Sequence, residues 1–235
     1  MNPQALHLPL SLTVEEIYPY LGITDDTITP SLHKLIGHYI RLIIQSAQPA
    51  GVWKNIEISE LRRDRIILEN SELVIEGSNT VSHFQTCSSV TLLAATLGLQ
   101  TDDLLLKTKN SQLEILVCDS AASAAAENIT EQLDIMISRE ILRQGLYPTS
   151  RFSPGYGDWP LSWQKEFIQS VDAGQIGLTV SPHFLLQPIK SVTAVIGLSR
   201  IPVTRNYTTP QRQKPCKGSF SCSACPLGAH CPDKY

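Results

Sequence analysis

Apolar residues along this chain fall into two rhythms, one helical and one extended. Leu32, Leu35, Ile36, Tyr39, Leu42 and Ile43 recur at helical spacing behind Pro30 and Ser31, which suit a helix start. Pro49-Ala50-Gly51 ends that pattern, and residues 52–58 (VWKNIEI) then alternate apolar and polar like a half-buried strand. Residues 65–69 and 73–76 predict two short strands joined at Asn70-Ser71. Residues 90–98 (VTLLAATLG) carry no charge, which predicts a buried strand ending at Gly98. Thr101-Asp102-Asp103 offers cap chemistry for a following helix, and Asp119 or Ser120 could cap a long alanine-rich helix running to Arg143, before Gly145. Pro160-Leu161-Ser162 predicts another helix start, and residues 192–198 (VTAVIGL) a late apolar strand. Strands and helices do not alternate regularly, so the pattern favours α+β over a doubly wound parallel sheet.

Composition bounds this picture. With 235 residues, 42% of them hydrophobic, the chain suits one large domain or a domain with an appendage. There is no internal repeat, and no apolar run approaches the ~20 residues that span a bilayer. The opening MNPQALHLPLSL lacks the charged start and apolar core of a secretory signal, so the expectation is a soluble, cytoplasmic protein. Charge is divided unevenly. From Arg200 onward six basic residues face Asp233 alone, a net +5, whereas the preceding residues hold 13 basic and 21 acidic groups, a net −8. Cysteine follows the same division: Cys87 and Cys118 stand alone, while Cys216, Cys222, Cys225 and Cys231 crowd the tail. The expected organisation is a body over residues 1–200 and a basic, Cys-rich metal-binding tail over 201–235.

One loop stands out. RFSPGYGDWPL, residues 151–161, gathers two prolines, two glycines, an arginine and three aromatics. Pro154-Gly155 is a turn signal, and Gly155 and Gly157 leave the backbone bare on both sides of Tyr156. Main-chain groups there could approach a flat ligand, and Arg151 could clamp a carboxylate with two parallel hydrogen bonds. A plain structural loop, with Arg151 solvated and Tyr156 and Trp159 filling a hydrophobic gap, explains the same residues.

RFSPGY resembles the Arg-x-x-x-Gly-Tyr signature of the reactivation domain of cobalamin-dependent methionine synthase, and RFSPGYGDWPL the version in free-standing relatives of that domain. AENITEQL (126–133), CSSVTLLAATLG (87–98) and LTVSPHFLLQPIKSVTAVIGLS (178–199) are similar to further segments of the family, so the resemblance covers roughly residues 85–200. It implies an α+β fold with a mixed, largely antiparallel sheet and flanking helices. It also implies a domain that binds S-adenosylmethionine and presents its methyl group to a corrinoid (cobalamin) cobalt. By position, Arg151 matches the ligand-contacting arginine, Ser153 and Gly155 the residues whose backbone holds the ligand, and Tyr156 the tyrosine against the corrin. Glu127 matches the helix glutamate near the ligand. The family's later ligand-contacting tyrosine and its N-terminal aspartate have no counterpart that can be placed.

The tail spacing is C-x5-C-x2-C-x5-C, four thiols within sixteen residues. In a reducing cytosol such thiols point to metal rather than disulfides, and four thiolates can hold a [4Fe–4S] cluster or zinc. CSACPLGAHC resembles auxiliary [4Fe–4S] sites, which favours the cluster over zinc. Three functions are open. The first is reductive reactivation of a corrinoid methyltransferase in methionine biosynthesis, by methyl transfer from S-adenosylmethionine, with a methionine synthase lacking its own reactivation domain as the natural partner. An electron donor protein could then serve the tail. The second is a non-catalytic adaptor for corrinoid proteins. The third is a zinc-tailed regulatory or nucleic-acid-binding protein, ranked last because few aromatics accompany the tail's basic residues.

Overall fold

The computed structural model describes residues 5–24, 27–109 and 111–205. Strand β1 (Leu6–His7) leads to a 3-10 turn and the short helix α1 (Tyr18–Leu21), then to α2 (Pro30–Ser46). Strands β2 (Ala50–Leu61), β3 (Arg65–Leu68) and β4 (Val74–Glu76) precede α3 (Ser78–His83), β5 (Cys87–Thr96), α4 (Leu99–Lys107) and the long α5 (Gln112–Arg143). The remainder is β6 (Tyr147–Pro148), α6 (Gln164–Ser170), a hairpin of β7 (Thr179–Val180) and β8 (Leu186–Gln187), and β9 (Ser191–Ser199).

The main sheet has seven strands in the order β4-β3-β2-β5-β9-β6, with β1 beside the start of β2. Every pairing among the described residues is antiparallel. The fold is therefore the α+β class expected. Both faces of the sheet are covered. Leu93, Ala95 and Leu97 of the β5 region, with Ala194, Ile196 and Leu198 of β9, join α2 and α5 in one core. Val90, Leu92 and Ala94 point the other way, with Val52, Ile56 and Val195, into a second core that includes Trp159 and Phe167. A strand buried on both faces has no solvent side to keep polar, which is why VTLLAATLG reads as an unbroken apolar run.

Helix α5 lies on the first face through Val117, Ala121, Ala125, Ile129, Leu133, Ile137 and Ile141, all at most 1% exposed and spaced four residues apart. The alanines let helix and sheet come close. A side chain on Gly51 of β2 would put its Cβ 2.9 Å from Leu133 Cδ2 and from Leu8 Cδ1, so any larger residue there forces both leucine side chains to shift.

Two expected helix starts are corrected. Helix α5 begins at Gln112, where the Ser111 hydroxyl accepts a hydrogen bond from Glu114 N at 3.2 Å, and not at Asp119 or Ser120. Ser120 is buried inside the helix, and Asp119 instead meets Lys190 Nζ at 2.7 Å. Helix α4 begins at Leu99 after Gly98, so Thr101 lies in its first turn, buried, while Asp102 Oδ2 accepts the Ile189 N–H at 2.8 Å. In both cases tertiary partners took cap-type side chains that local reading assigned to a terminus. Strand β5 ends at Thr96, two residues before Gly98. No helix among the described residues is long and apolar enough to cross a membrane.

The loop after α5 is tied to α3 by Asp158, whose carboxylate accepts the backbone N–H groups of Asn79 (2.9 Å) and Thr80 (3.0 Å) and the Thr80 hydroxyl (2.7 Å). A cap supplied from elsewhere in the chain serves the helix start as a local one would. The backbone hydrogen bond from Asn79, helped by Thr80, holds the Asp158 carboxyl below its ordinary value of 3.8. Its stabilising contribution is thus present above that value and lost as pH falls through the depressed one. Asp158→Ala should cost about 1–2 kcal/mol in denaturant unfolding at neutral pH, with the deficit against wild type shrinking in acid.

Candidate functional site

On α5, Glu127, Glu131, Asp134 and Ser138 recur every three or four residues and form a polar stripe beside the helix's buried apolar face. The partner for that stripe comes from the chain beyond β6. Tyr147 and Pro148 pair with Ser199 and Leu198 of β9, the Thr149 N–H donates to Gly197 O at 2.9 Å, and Phe152 exchanges both backbone hydrogen bonds with Val195 (2.9 and 2.7 Å). Residues 147–152 therefore run as an irregular edge strand, and their alternation sends neighbouring side chains to opposite faces. Phe152 packs on the second core, and Arg151 reaches α5.

The Arg151 guanidinium meets three carboxylates. Its Nη2 donates to Glu127 Oε1 in a short ion pair and lies 3.5 Å from Glu131 Oε2, while its Nε lies 3.3 Å from Asp134 Oδ2. A second guanidinium completes the set: Arg205 Nη2 donates to Asp134 Oδ1 and Nη1 to Ser138 Oγ, both at 2.6 Å. The Arg151 side chain is only 10% exposed and that of Asp134 only 3%. Charges so buried persist only when paired. Among the described residues, three carboxylates nonetheless face two guanidiniums. Burial pushes the Glu131 carboxyl above its ordinary 4.5, and Asp134 and Glu127 add to this against the opposing pull of Arg151. Tyr20 of α1 stands in the same field. Burial first, then the Glu127 carboxylate, pushes its phenol up to about 12, with Arg151 opposing.

The loop itself combines both of its sequence-based explanations. Trp159 is buried and donates its indole N–H to Val74 O at 3.1 Å, so it fills the second core as a structural loop would. Tyr156 is 67% exposed and fills nothing. Arg151 is not solvated. Gly155 and Gly157 adopt φ of +91° and +55°, a region open to glycine, and they carry the chain around Tyr156. Within the loop, Gly155 N–H is taken by Trp159 O (2.8 Å), and the Ser153 hydroxyl by Thr193 O (2.7 Å). The Gly155 N–H is therefore already engaged inside the loop.

The structure thus brings Glu127 and Arg151 into direct contact and places Ser153, Gly155 and Tyr156 in the loop that carries Arg151. Four participants carried no signature in the sequence: Tyr20, Glu131, Asp134 and Arg205. The stripe E-x3-E-x2-D-x3-S on a helix otherwise rich in alanine and isoleucine was the one available signal for Glu131 and Asp134. The proposed metal ligands Cys216, Cys222, Cys225 and Cys231 lie outside the described residues. Among the described residues no group of three or more His, Cys, Asp or Glu could hold a metal ion. Cys87 and Cys118 are buried as expected, with burial pushing the Cys87 thiol up to about 11.

No protein-family model and no curated protein sequence matches this chain. Among solved structures, a crystal structure of the MetH reactivation domain bound to AdoHcy superposes with a TM-score of 0.61 over 88% of this chain and 81% of that one, at 14% identity. The likeness is one of fold, and it is the fold implied by the resemblance of the loop sequence.

Two measurements check the electrostatics. Because the Glu131 pKa is raised, the carboxyl favours folding below its ordinary value and loses that advantage as pH rises through the folded value. Glu131→Gln should raise the Tm at pH 7 and leave it nearly unchanged at pH 4. In an ultraviolet titration, the Tyr20 phenol should ionise near 12, and Glu127→Gln should lower that value. An unchanged Tyr20 titration would place Glu127 outside its field.

Proposed function

We propose that this protein binds S-adenosylmethionine between the α5 stripe and the 151–157 loop and offers its methyl group to a corrinoid carried by a partner protein. The observation that carries this reading is the surplus carboxylate at a buried guanidinium site. S-adenosylmethionine has a carboxylate, an ammonium and a sulfonium, hence one net positive charge, and the stripe has one carboxylate more than its guanidiniums. Arg151, turned from Glu127, suits the ligand carboxylate with parallel hydrogen bonds, and Glu127 is then free to face either cation. The fold shared with a domain solved with AdoHcy supports the same ligand class.

A sulfonium is already an excellent leaving group, so methyl transfer from it needs no general acid or base. The chain's task is to orient the donor and keep it close, which in favourable cases lowers a barrier by roughly 7–11 kcal/mol. Tyr156, projecting from between two glycines, offers a flat ring for the face of a corrin, and the corrinoid supplies the metal that accepts the methyl group. A methionine synthase lacking its own reactivation domain is the partner that fits this role. For residues 201–235 the proposal is a [4Fe–4S] cluster on Cys216, Cys222, Cys225 and Cys231, with zinc as the alternative. Iron and zinc analysis of anaerobically purified protein decides between them. Stoichiometric zinc with no iron after reconstitution removes any electron-transfer role.

Calorimetric titration of the full chain with S-adenosylmethionine tests the main reading. Wild type should bind, and Glu127→Gln should weaken binding by about 1.5–3 kcal/mol, the scale of a charge-assisted hydrogen bond. Tyr156→Ala should leave that affinity nearly unchanged and impair methylation of the corrinoid partner. Folded wild type that binds nothing ends the proposal.

A further inference from the structure

Asp134 is a bridge between two cations that arrive from distant parts of the chain. Its Oδ2 faces Arg151 Nε at 3.3 Å, and its Oδ1 accepts from Arg205 Nη2 at 2.6 Å. The same Oδ1 accepts from the Ser138 hydroxyl at 2.9 Å, and Ser138 Oγ in turn accepts from Arg205 Nη1 at 2.6 Å. Arg205 thus grips the helix at two points one turn apart, across 67 and 71 residues of sequence. Its side chain is 11% exposed, about as deep as that of Arg151.

We infer that Arg205 is a positioning residue for the candidate site, acting on Arg151 through Asp134. Two hydrogen bonds to Oδ1 fix the plane of the Asp134 carboxylate, and that plane sets where Oδ2 stands. Oδ2 engages the inner edge of the Arg151 guanidinium and leaves Nη2 directed at Glu127 and Glu131. Removing Arg205 leaves three carboxylates to a single guanidinium and frees Asp134 to turn. The buried aspartate then competes for Arg151 at close range, and the guanidinium is drawn away from Glu127. Arg205 also stands eleven residues before Cys216, so the chain that leads to the cysteines is fastened to the ligand-binding face at this point.

The coupling of Arg205 to Arg151 is independent of any ligand, whereas its effect on affinity rests on the function proposed above. The test therefore reads both, in the full chain. The first readout is the arginine Nε–H resonance of Arg151 in 15N-edited spectra, assigned with Arg151→Lys, together with its rate of exchange with water. Arg205→Ala should shift this resonance and speed exchange by about tenfold or more, Arg205→Lys should stay near wild type, and Ser138→Ala should give a smaller change of the same sign. The second readout is titration with S-adenosylmethionine, in which Arg205→Ala should weaken binding by about tenfold and Arg205→Lys should restore most of it. If Arg205→Ala does not fold, Ser138→Ala carries the test, since it removes a hydroxyl and no charge. An Arg151 resonance and exchange rate that ignore both Arg205→Ala and Ser138→Ala overturn the inference, whatever the ligand does. An Arg151 response in a wild type that binds no S-adenosylmethionine upholds the positioning and defeats the proposed ligand.

Discussion

The arrangement depends on how closely α5 can lie on the sheet. Alanine at positions 121, 122, 124, 125 and 126 gives the first half of the helix almost no side-chain bulk, and Gly51 gives β2 none where Leu133 crosses it. Helix α5 also packs against β9 and against β6 at the sheet edge. The stripe of Glu127, Glu131 and Asp134 therefore meets whatever chain runs along the outer edge of β9. That chain is the segment 147–152, and the backbone exchange between Phe152 and Val195 sets its register. A slip of one residue would send Arg151 into the apolar second core and Phe152 into the carboxylates. The ion cluster is a consequence of that register as much as of its own attraction.

Such a cluster is a poor way to stabilise a fold. Desolvating charges costs several kcal/mol per ion, and a well-packed apolar set of the same volume would hold the helix at least as firmly. The balance is also incomplete, because the Glu131 carboxyl is pushed above its ordinary range even with Arg151 beside it. Among the described residues the stripe keeps one anion in excess of its guanidiniums. The neighbouring loop shows the same separation of tasks. Trp159, Asp158 and Phe152 anchor it, and the Tyr156 ring is left exposed at the centre of that anchored frame.

How much of this could be read from the sequence follows from range. The strands 52–58 and 192–198, the helix behind Pro30 and the α+β class rest on periodicity, which is local, and each is present. The helix starts at Asp119 and Thr101 were misplaced because side chains with cap chemistry were recruited across the fold, by Lys190 and by the backbone of Ile189. Arg151 and Glu127 could be singled out because a motif marks them. That they neutralise one another could not, since 24 residues separate them in sequence and only the edge-strand register brings them together. Tyr20 and Arg205 come from the two ends of the described chain. No spacing rule links either to α5.

This last pair bears on how the site is closed. Tyr20 lies within the field of Glu127 and Arg205 pairs with Asp134, so both ends of the described chain act on one helix face. Between them the Arg151 guanidinium is shared among three acceptors, none of which can claim all of its donors. A guanidinium in that position can exchange one carboxylate for another at little cost, because the pair it leaves behind is replaced by a pair of the same kind. Asp134, held by Arg205 and Ser138, is the acceptor least able to move, and the two glutamates, each a quarter exposed, are the ones able to yield. Exchange therefore takes place between the two glutamates, while Asp134 keeps Arg151 Nε in place.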